Sequence, residues 1–168
     1  MITKRNNHGL NLIELMTVLF IAAVLLLASV PYFSDMLQEF RTSSIANNLY
    51  YTIQYARSEA IKSNTNVYLS FSTGDTWCYG LNKNSACTCT VASSCGLGVY
   101  SAPAAQQVTL SLSGLSGTSF YFEGTHGAAS ASPTITLTPY GESSYIKVLV
   151  LQLLTQMCSS GISGYWKC

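Results

Sequence analysis

Glu14 is the residue whose chemistry most needs an explanation, because it is a lone acidic side chain at the start of a long apolar stretch. Only two of the residues from position 15 to position 30 are not apolar. A helix covering residues 10–33 would be about 35 Å long, enough to cross the hydrocarbon core of a bilayer. An ionised carboxylate in that environment is costly and usually marks a partner or a function.

Two simpler interpretations of this stretch are a cleaved secretory signal and an ordinary signal anchor. A secretory signal is cleaved after its apolar run, and Ala28-Ser29-Val30 is a poor version of such a site. Neither interpretation explains the presence of Glu14.

The cysteines are the second group of residues with a chemical use, and all six lie beyond residue 77: Cys78, Cys87, Cys89, Cys95, Cys158 and Cys168. An even number of cysteines in a Gly/Ser-rich region indicates disulfides formed in an oxidising compartment. The spacing lacks the paired C-x2-C motifs of common structural zinc sites, so we expect no metal site. Cys87 and Cys89 are too close in the chain to pair with each other without strain. Each is expected to join Cys78 or Cys95, and the assignment stays open.

The sequence lacks the residue combinations that catalysis usually needs. Its two histidines are His8 and His126, and His126 stands in a glycine-rich turn. One histidine among scattered serines and acids defines no catalytic triad. Gly74-Asp75 is typical of a turn, and Cys87-Thr88-Cys89 lacks the C-x-x-C spacing of redox sites. We therefore expect a non-enzymatic protein without a cofactor.

Charged residues are scarce, at 9% of the chain, and the formal net charge is +1. Without Lys4 and Arg5 near the N-terminus, six basic side chains face seven acidic ones. Such a balance leaves no basic surface for nucleic acid. The sequence beyond residue 63 is polar but has few charged residues, which is typical of short strands and turns on an extracytoplasmic surface.

Helical periodicity continues after Pro31 to about Lys62. Apolar residues recur at spacings of three, four and seven, while polar residues lie mostly off this stripe. The stripe comprises Leu37, Phe40, Ile45, Leu49, Ile53, Ala56 and Ala60. This pattern predicts an amphipathic helix that packs on a globular head.

From residue 64 the apolar period changes to two, and turn residues separate the segments. The predicted strands cover residues 67–71, 76–81, 98–101, 108–112, 119–122, 134–138 and 145–154. The last is the longest and is expected in the centre of a sheet. These patterns predict an α+β fold, in which a long N-terminal helix packs on an antiparallel, sandwich-like β-sheet head.

The N-terminal sequence resembles the type III signal of type IV pilins and type II secretion pseudopilins. The resemblance is carried by a short polar leader with Lys4 and Arg5 that ends in Gly9, then Leu10-Asn11-Leu12-Ile13-Glu14-Leu15 and an apolar run. It implies that a prepilin peptidase cuts between Gly9 and Leu10 and N-methylates Leu10. The family usually has Phe or Met at that first position, so Leu10 departs from the pattern. Pro31 matches the proline at which many pilin helices bend.

Cleavage after Gly9 would place the new α-ammonium group of Leu10 about one helical turn from Glu14. In an assembling filament, Glu14 could then neutralise the amino terminus of a neighbouring subunit and remove both charges from a low-dielectric interior. We expect Glu14 to set the register of assembly.

A second motif, Tyr55-Ala56-Arg57-Ser58-Glu59-Ala60, resembles the end of the long helix in the GspH/FimT/FimU minor pilins and pseudopilins. Arg57 and Glu59 cannot face each other on a helix, so each is expected to contact the head separately. Many pilins have a stapled C-terminal region, and the resemblance implies that Cys158 pairs with Cys168. The expected domains are a leader (1–9), a membrane and assembly helix (10–33), an amphipathic half-helix (34–63) and a β-rich head (64–168).

Some FimT-type relatives capture DNA through a Gly-Arg-x-Arg motif near the C-terminus. The matching residues here are Gly164-Tyr165-Trp166-Lys167, without either arginine. Lys167 alone would release few counterions, although Tyr165 and Trp166 could stack on bases. Packing under the head is the commoner use of such aromatic residues. A weak nucleic-acid contact at these three residues is therefore a minority alternative.

The resemblance implies a minor pilin that helps to initiate or cap a type IV pilus. A single inner-membrane span would hold it with its head in the periplasm until it enters the filament. The close alternative is the H-type minor pseudopilin of a type II secretion system, and the sequence does not separate the two. The expected partners are other minor or major pilins or pseudopilins, the inner-membrane assembly platform and the prepilin peptidase, but not nucleic acid.

Overall fold

The computed structural model describes residues 11–102 and 107–168, except for the side chains of residues 28–32. The leader at residues 1–9 and the expected cleavage site at Gly9 and Leu10 lie outside the described residues, as does the side chain of Pro31. Cleavage, methylation and a helix bend at Pro31 therefore stay predictions.

One long helix, α1, covers Leu12–Ser63 and includes Pro31 within its range. It begins where the N–H groups of Glu14 and Leu15 donate to the Asn11 carbonyl at 2.9 and 3.2 Å. The chain divides into two compact units between Leu37 and Gln38. In the part of the chain that the structure describes, no helix is long and apolar enough to cross a membrane. The span expected at residues 10–33 stays a prediction.

Nine strands follow α1 in the described chain: β1 (Val67–Ser72), β2 (Cys78–Lys83), β3 (Gly98–Ser101), β4 (Val108–Ser113), β5 (Ser119–Phe122), β6 (Thr134–Pro139), β7 (Tyr145–Val150), β8 (Thr155–Ser160) and β9 (Trp166–Lys167). They form two sheets, with the orders β3-β2-β1-β5 and β4-β6-β7-β8-β9. Neighbouring strands are antiparallel except for β8 and β9, which are parallel.

The C-terminal part of α1 packs on both sheets through the apolar stripe predicted for it. Five members of the stripe are at most 2% exposed: Ile45, Leu49, Ile53, Ala56 and Ala60. They share one core with residues of both sheets, such as Leu69 of β1 and Ile146 of β7. The structure thus confirms the predicted α+β fold, with the helix packed on antiparallel sheets.

Two members of the stripe, Leu37 and Phe40, are exposed instead of buried, at 39% and 71%. Each residue advances about 100° around a helix, so Phe40 lies half a turn away from Leu49, nine residues later. Thr42 takes the buried position, and its hydroxyl donates to the Gln38 carbonyl at 2.9 Å. The prediction was wrong for Phe40 because its spacing from the later members places it on the opposite face.

The apolar segment at residues 145–154 consists of strand β7 and the hairpin turn that follows it, rather than the one long strand predicted. β7 ends at Val150, and the Leu151 N–H donates to the Leu154 carbonyl at 2.7 Å before β8 begins. The sequence does not reveal this turn, because leucine and glutamine stand where glycine, proline or asparagine usually mark one. The central position predicted for this segment is correct for β7, the third of five strands in its sheet.

Candidate functional site

Glu14 lies in the first turn of α1, and its side chain is exposed. The side chains around it are apolar, and each of Leu12, Ile13, Leu15 and Met16 is at least 50% exposed. The carboxylate is therefore accessible to another molecule, on a helix surface that is otherwise apolar.

Arg57 joins α1 to the head domain. Its Nη1 donates to the Leu153 carbonyl at 2.8 Å, and its guanidinium carbon lies 5.1 Å from the centre of the Phe122 ring. Its Nε and Nη2 are buried and have no hydrogen-bond partner among the described residues. Burial lowers the pKa of Arg57 below the ordinary value of an arginine. Arg57 still carries its charge at neutral pH, because the ordinary pKa of an arginine lies far above that pH.

Glu59 joins α1 to β2 at a different place. Its Oε1 accepts a hydrogen bond from Lys83 Nζ at 2.7 Å, and Lys62 Nζ lies 3.9 Å from its Oε2. The hydrogen bond from Lys83 lowers the pKa of the Glu59 carboxyl. Arg57 and Glu59 thus contact the head separately, as the sequence predicts.

Two disulfides hold the polar loop between β2 and β3. Cys78 pairs with Cys89 and Cys87 with Cys95, with Cα atoms 5.9 and 5.2 Å apart. This pairing selects one of the assignments that the sequence leaves open. Gly80 of β2 lies directly beneath the second bridge, where an added Cβ would collide with Cys95 Sγ. The loop therefore packs closely against β2.

The third disulfide joins Cys158 in β8 to Cys168, with Cα atoms 4.9 Å apart. It holds the C-terminal segment near α1, where the hydroxyl oxygens of Tyr165 and Ser43 are 2.7 Å apart. Tyr165 packs against the core, but Trp166 is 87% exposed. The expectation that Trp166 packs under the head is wrong, because Tyr165 takes the position against the core and Trp166 lies in β9, the outermost strand of its sheet.

A groove of about 920 Å³ lies between α1 and this C-terminal segment, and we call it the β8 groove. Its walls include Asn47 and Tyr50 of α1, Thr155 and Met157 of β8, and residues 163–168. The sequence does not predict the groove, because its walls come from segments that are distant in the chain. The sequence feature that comes nearest to indicating the groove is the apolar stretch at residues 151–154, because its leucines are exposed beside β8.

In the structure, His126 is a surface turn residue and the cysteines form disulfides. His126 is exposed in the turn between β5 and β6, where its Nδ1 lies 3.0 Å from Thr125 Oγ1. All six cysteines are in disulfides. None of them is therefore available as a thiolate nucleophile or as a metal ligand.

Comparisons with known proteins place this architecture in a family. The sequence matches the model of the family described as "Type II transport protein GspH" over residues 46–154. No curated protein matches the sequence. Among solved structures, the chain is similar to the type IV minor pilin FimU of Pseudomonas aeruginosa, with a TM-score of 0.55 and 18% identity. The alignment covers 69% of this chain and 87% of FimU, and at that identity it shows the fold alone. Because the GspH model matches about two thirds of the sequence, the chain belongs to the GspH family.

Proposed function

We propose that this chain is a non-enzymatic minor pilin that helps to initiate or cap a type IV pilus. The observation that carries the proposal is the exposed Glu14 in the first turn of α1, surrounded by exposed apolar side chains. A helix that packs among others in an apolar environment must neutralise this charge, and the N-terminal ammonium group of a neighbouring subunit can do so. Membership of the GspH family and the FimU-like fold support the proposal.

Maturation and location belong to the same proposal. A prepilin peptidase cuts between Gly9 and Leu10 and methylates the new terminus. A single inner-membrane span at residues 10–33 then holds the subunit with its head in the periplasm, where the three disulfides can form. The assembly platform and other pilins are the partners, and a bend at Pro31 lets the helix adapt to its neighbours.

The second candidate function is that of an H-type minor pseudopilin in type II secretion. The family description supports it, whereas the likeness to a type IV minor pilin supports the first. Deletion of the gene, with complementation by the intact chain, separates the two. Loss of surface pili and twitching with normal exoprotein secretion is the expected result. Loss of secretion with intact pili would instead assign the chain to the secretion system.

A third candidate, DNA capture, is favoured by one observation, the 87% exposure of Trp166 beside Tyr165 and Lys167. Stacking on Trp166 would have to provide most of the affinity, because Lys167 is the one cation among these residues. A gel-shift titration of the full chain in detergent at low salt tests this candidate. No shift at high micromolar protein excludes it.

A further inference from the structure

The outer edge of β8 is covered by β9 over only part of its length. β9 pairs with β8 at two positions, Cys158 with Trp166 and Ser159 with Lys167. In the described chain, this register begins at Cys158, so no residue of β9 lies opposite residues 155–157, although a parallel ladder in this register uses the Met157 carbonyl as an acceptor for β9. This uncovered part of β8 faces the β8 groove.

The hydrogen-bond register shows which backbone groups of β8 point away from β7. The Val150 N–H donates to the Pro133 carbonyl at 2.9 Å, so it points away from Thr155, its partner in β8. Bonded and non-bonded pairs alternate along an antiparallel ladder, so the N–H and C=O groups of Thr155, Met157 and Ser159 point outward. Ser159 agrees with this register, because its carbonyl accepts a hydrogen bond from the C-terminal segment at 3.1 Å.

Thr155 adds a second, independent observation. It is 4% exposed and lines the β8 groove, and its buried Oγ1 has no hydrogen-bond partner among the described residues. An unpaired polar group that is buried raises the free energy of the folded chain. A partner in the groove that forms a hydrogen bond with Thr155 Oγ1 would therefore bind more favourably.

The chemistry of the edge selects a peptide as that ligand. Outward N–H and C=O groups along a strand are complementary to the backbone of another extended segment. Among the described residues that line the groove, Lys167 is the one with a charged side chain, so the walls offer little to a polyanion. Exposed apolar side chains flank the edge, with Leu153 and Leu154 before it and Trp166 beyond it, at 71%, 50% and 87% exposure.

We propose that residues 155–157 of β8 form a docking site for an extended, uncharged segment of a partner protein, which adds to the five-stranded sheet as a further strand. Apolar side chains of the segment contact Leu154 at one end of the site and Trp166 at the other. The site does not depend on whether the chain serves a pilus or a secretion system.

Amide NMR of the full chain in detergent micelles tests the site. The probe is an acetylated and amidated heptapeptide of alternating threonine and valine, added to millimolar concentration. The amide signals of Thr155 and Met157 should shift, and their hydrogen exchange should slow about tenfold when the peptide is at about ten times its Kd. The same peptide with every backbone amide N-methylated should have no effect, because it cannot donate to the edge.

A proline substitution provides the matched test on the protein side. Met157→Pro removes one outward N–H without removing a hydrogen bond to β7, and it should abolish the peptide response. Met157→Leu should keep it. No shift in the intact chain, an equal response to the N-methylated peptide, or an equal response to a single-stranded oligonucleotide would each overturn the proposal. The two peptides decide the matter even if the proline variant does not fold.

Discussion

At the scale of single residues, Glu14 carries the proposed assembly function. We predict that Glu14→Ala leaves membrane insertion and cleavage after Gly9 intact but removes the subunit from filaments, because the charge pair with a neighbouring N-terminus is lost. Immunoblots of membrane and sheared filament fractions measure both steps. Asp35→Ala is the matched control, since it removes another exposed carboxylate from the same helix. Normal incorporation of the Glu14 variant would end this assignment.

Gly127 is a second residue with a specific and testable role, in the contact between α1 and the head. Its φ is +66°, and an added Cβ would lie 2.7 Å from Ile61 Cδ1 and 3.0 Å from Arg57 Cγ. We predict that Gly127→Ala lowers the free energy of unfolding by more than the about 1–2 kcal/mol that a left-handed conformation costs. Thermal and denaturant unfolding of the purified chain measure the loss.

Gly141 offers the control for that substitution. Its φ is +80°, and an added Cβ would meet nothing within 4 Å. Gly141→Ala therefore has the backbone strain without the crowding, and the difference between the two variants reports the packing around Arg57. Equal losses would show that Ile61 and Arg57 move aside at no cost.

At the scale of elements, the ion pair between Glu59 and Lys83 connects α1 to β2 and makes their contact sensitive to acid. Lys83 lowers the pKa of Glu59 below its ordinary value of 4.5. A carboxyl with a lowered pKa stabilises the fold above that ordinary value, and this stability is lost as pH falls through the pKa of the folded state. We predict that Glu59→Gln has a lower Tm than the parent at neutral pH and that the gap narrows below about pH 4.5.

Glu142→Gln is the control, because Glu142 is exposed in the turn after β6. Its Tm should follow that of the parent across the whole range. Glutamate is largely protonated at about pH 3. If the difference in Tm between Glu59→Gln and the parent stayed constant down to that pH, the ion pair would not stabilise the fold.

The helix and most strands could be predicted because their periodicity is local. The stripe at Ile45, Leu49 and Ile53 repeats at helical spacing, and strands such as Ser119–Phe122 are bounded by ordinary turn residues. The turn after Val150 has no such signal, since leucines occupy it. The β8 groove could not be predicted at all, because the register of β8 and the pairing of β9 depend on contacts between distant segments.

At the scale of the whole molecule, the disulfides differ in what they constrain. Cys87–Cys95 shares its loop with Cys78–Cys89, so the loop stays closed when one bridge is removed. Cys158–Cys168 is the only disulfide in its segment, and it holds β9 on β8 and Tyr165 near Ser43. The C-terminal bridge should therefore matter more to stability than its short loop suggests.

We predict that replacing Cys158 and Cys168 together by serine lowers the free energy of unfolding by about 2–4 kcal/mol. The double serine variant of Cys87 and Cys95 is the matched control, since its sequence separation of 8 is close to the 10 of the C-terminal pair. Because chain-closure entropy changes slowly with loop length, the two bridges would cost nearly the same if each acted through entropy alone. A larger loss in the C-terminal variant, with faster exchange of the amides of Ser159 and of residue 168, whose N–H donates to the Ser159 carbonyl, would show that this bridge also holds the sheet edge. A smaller loss than in the control would show that β9 stays paired without its disulfide.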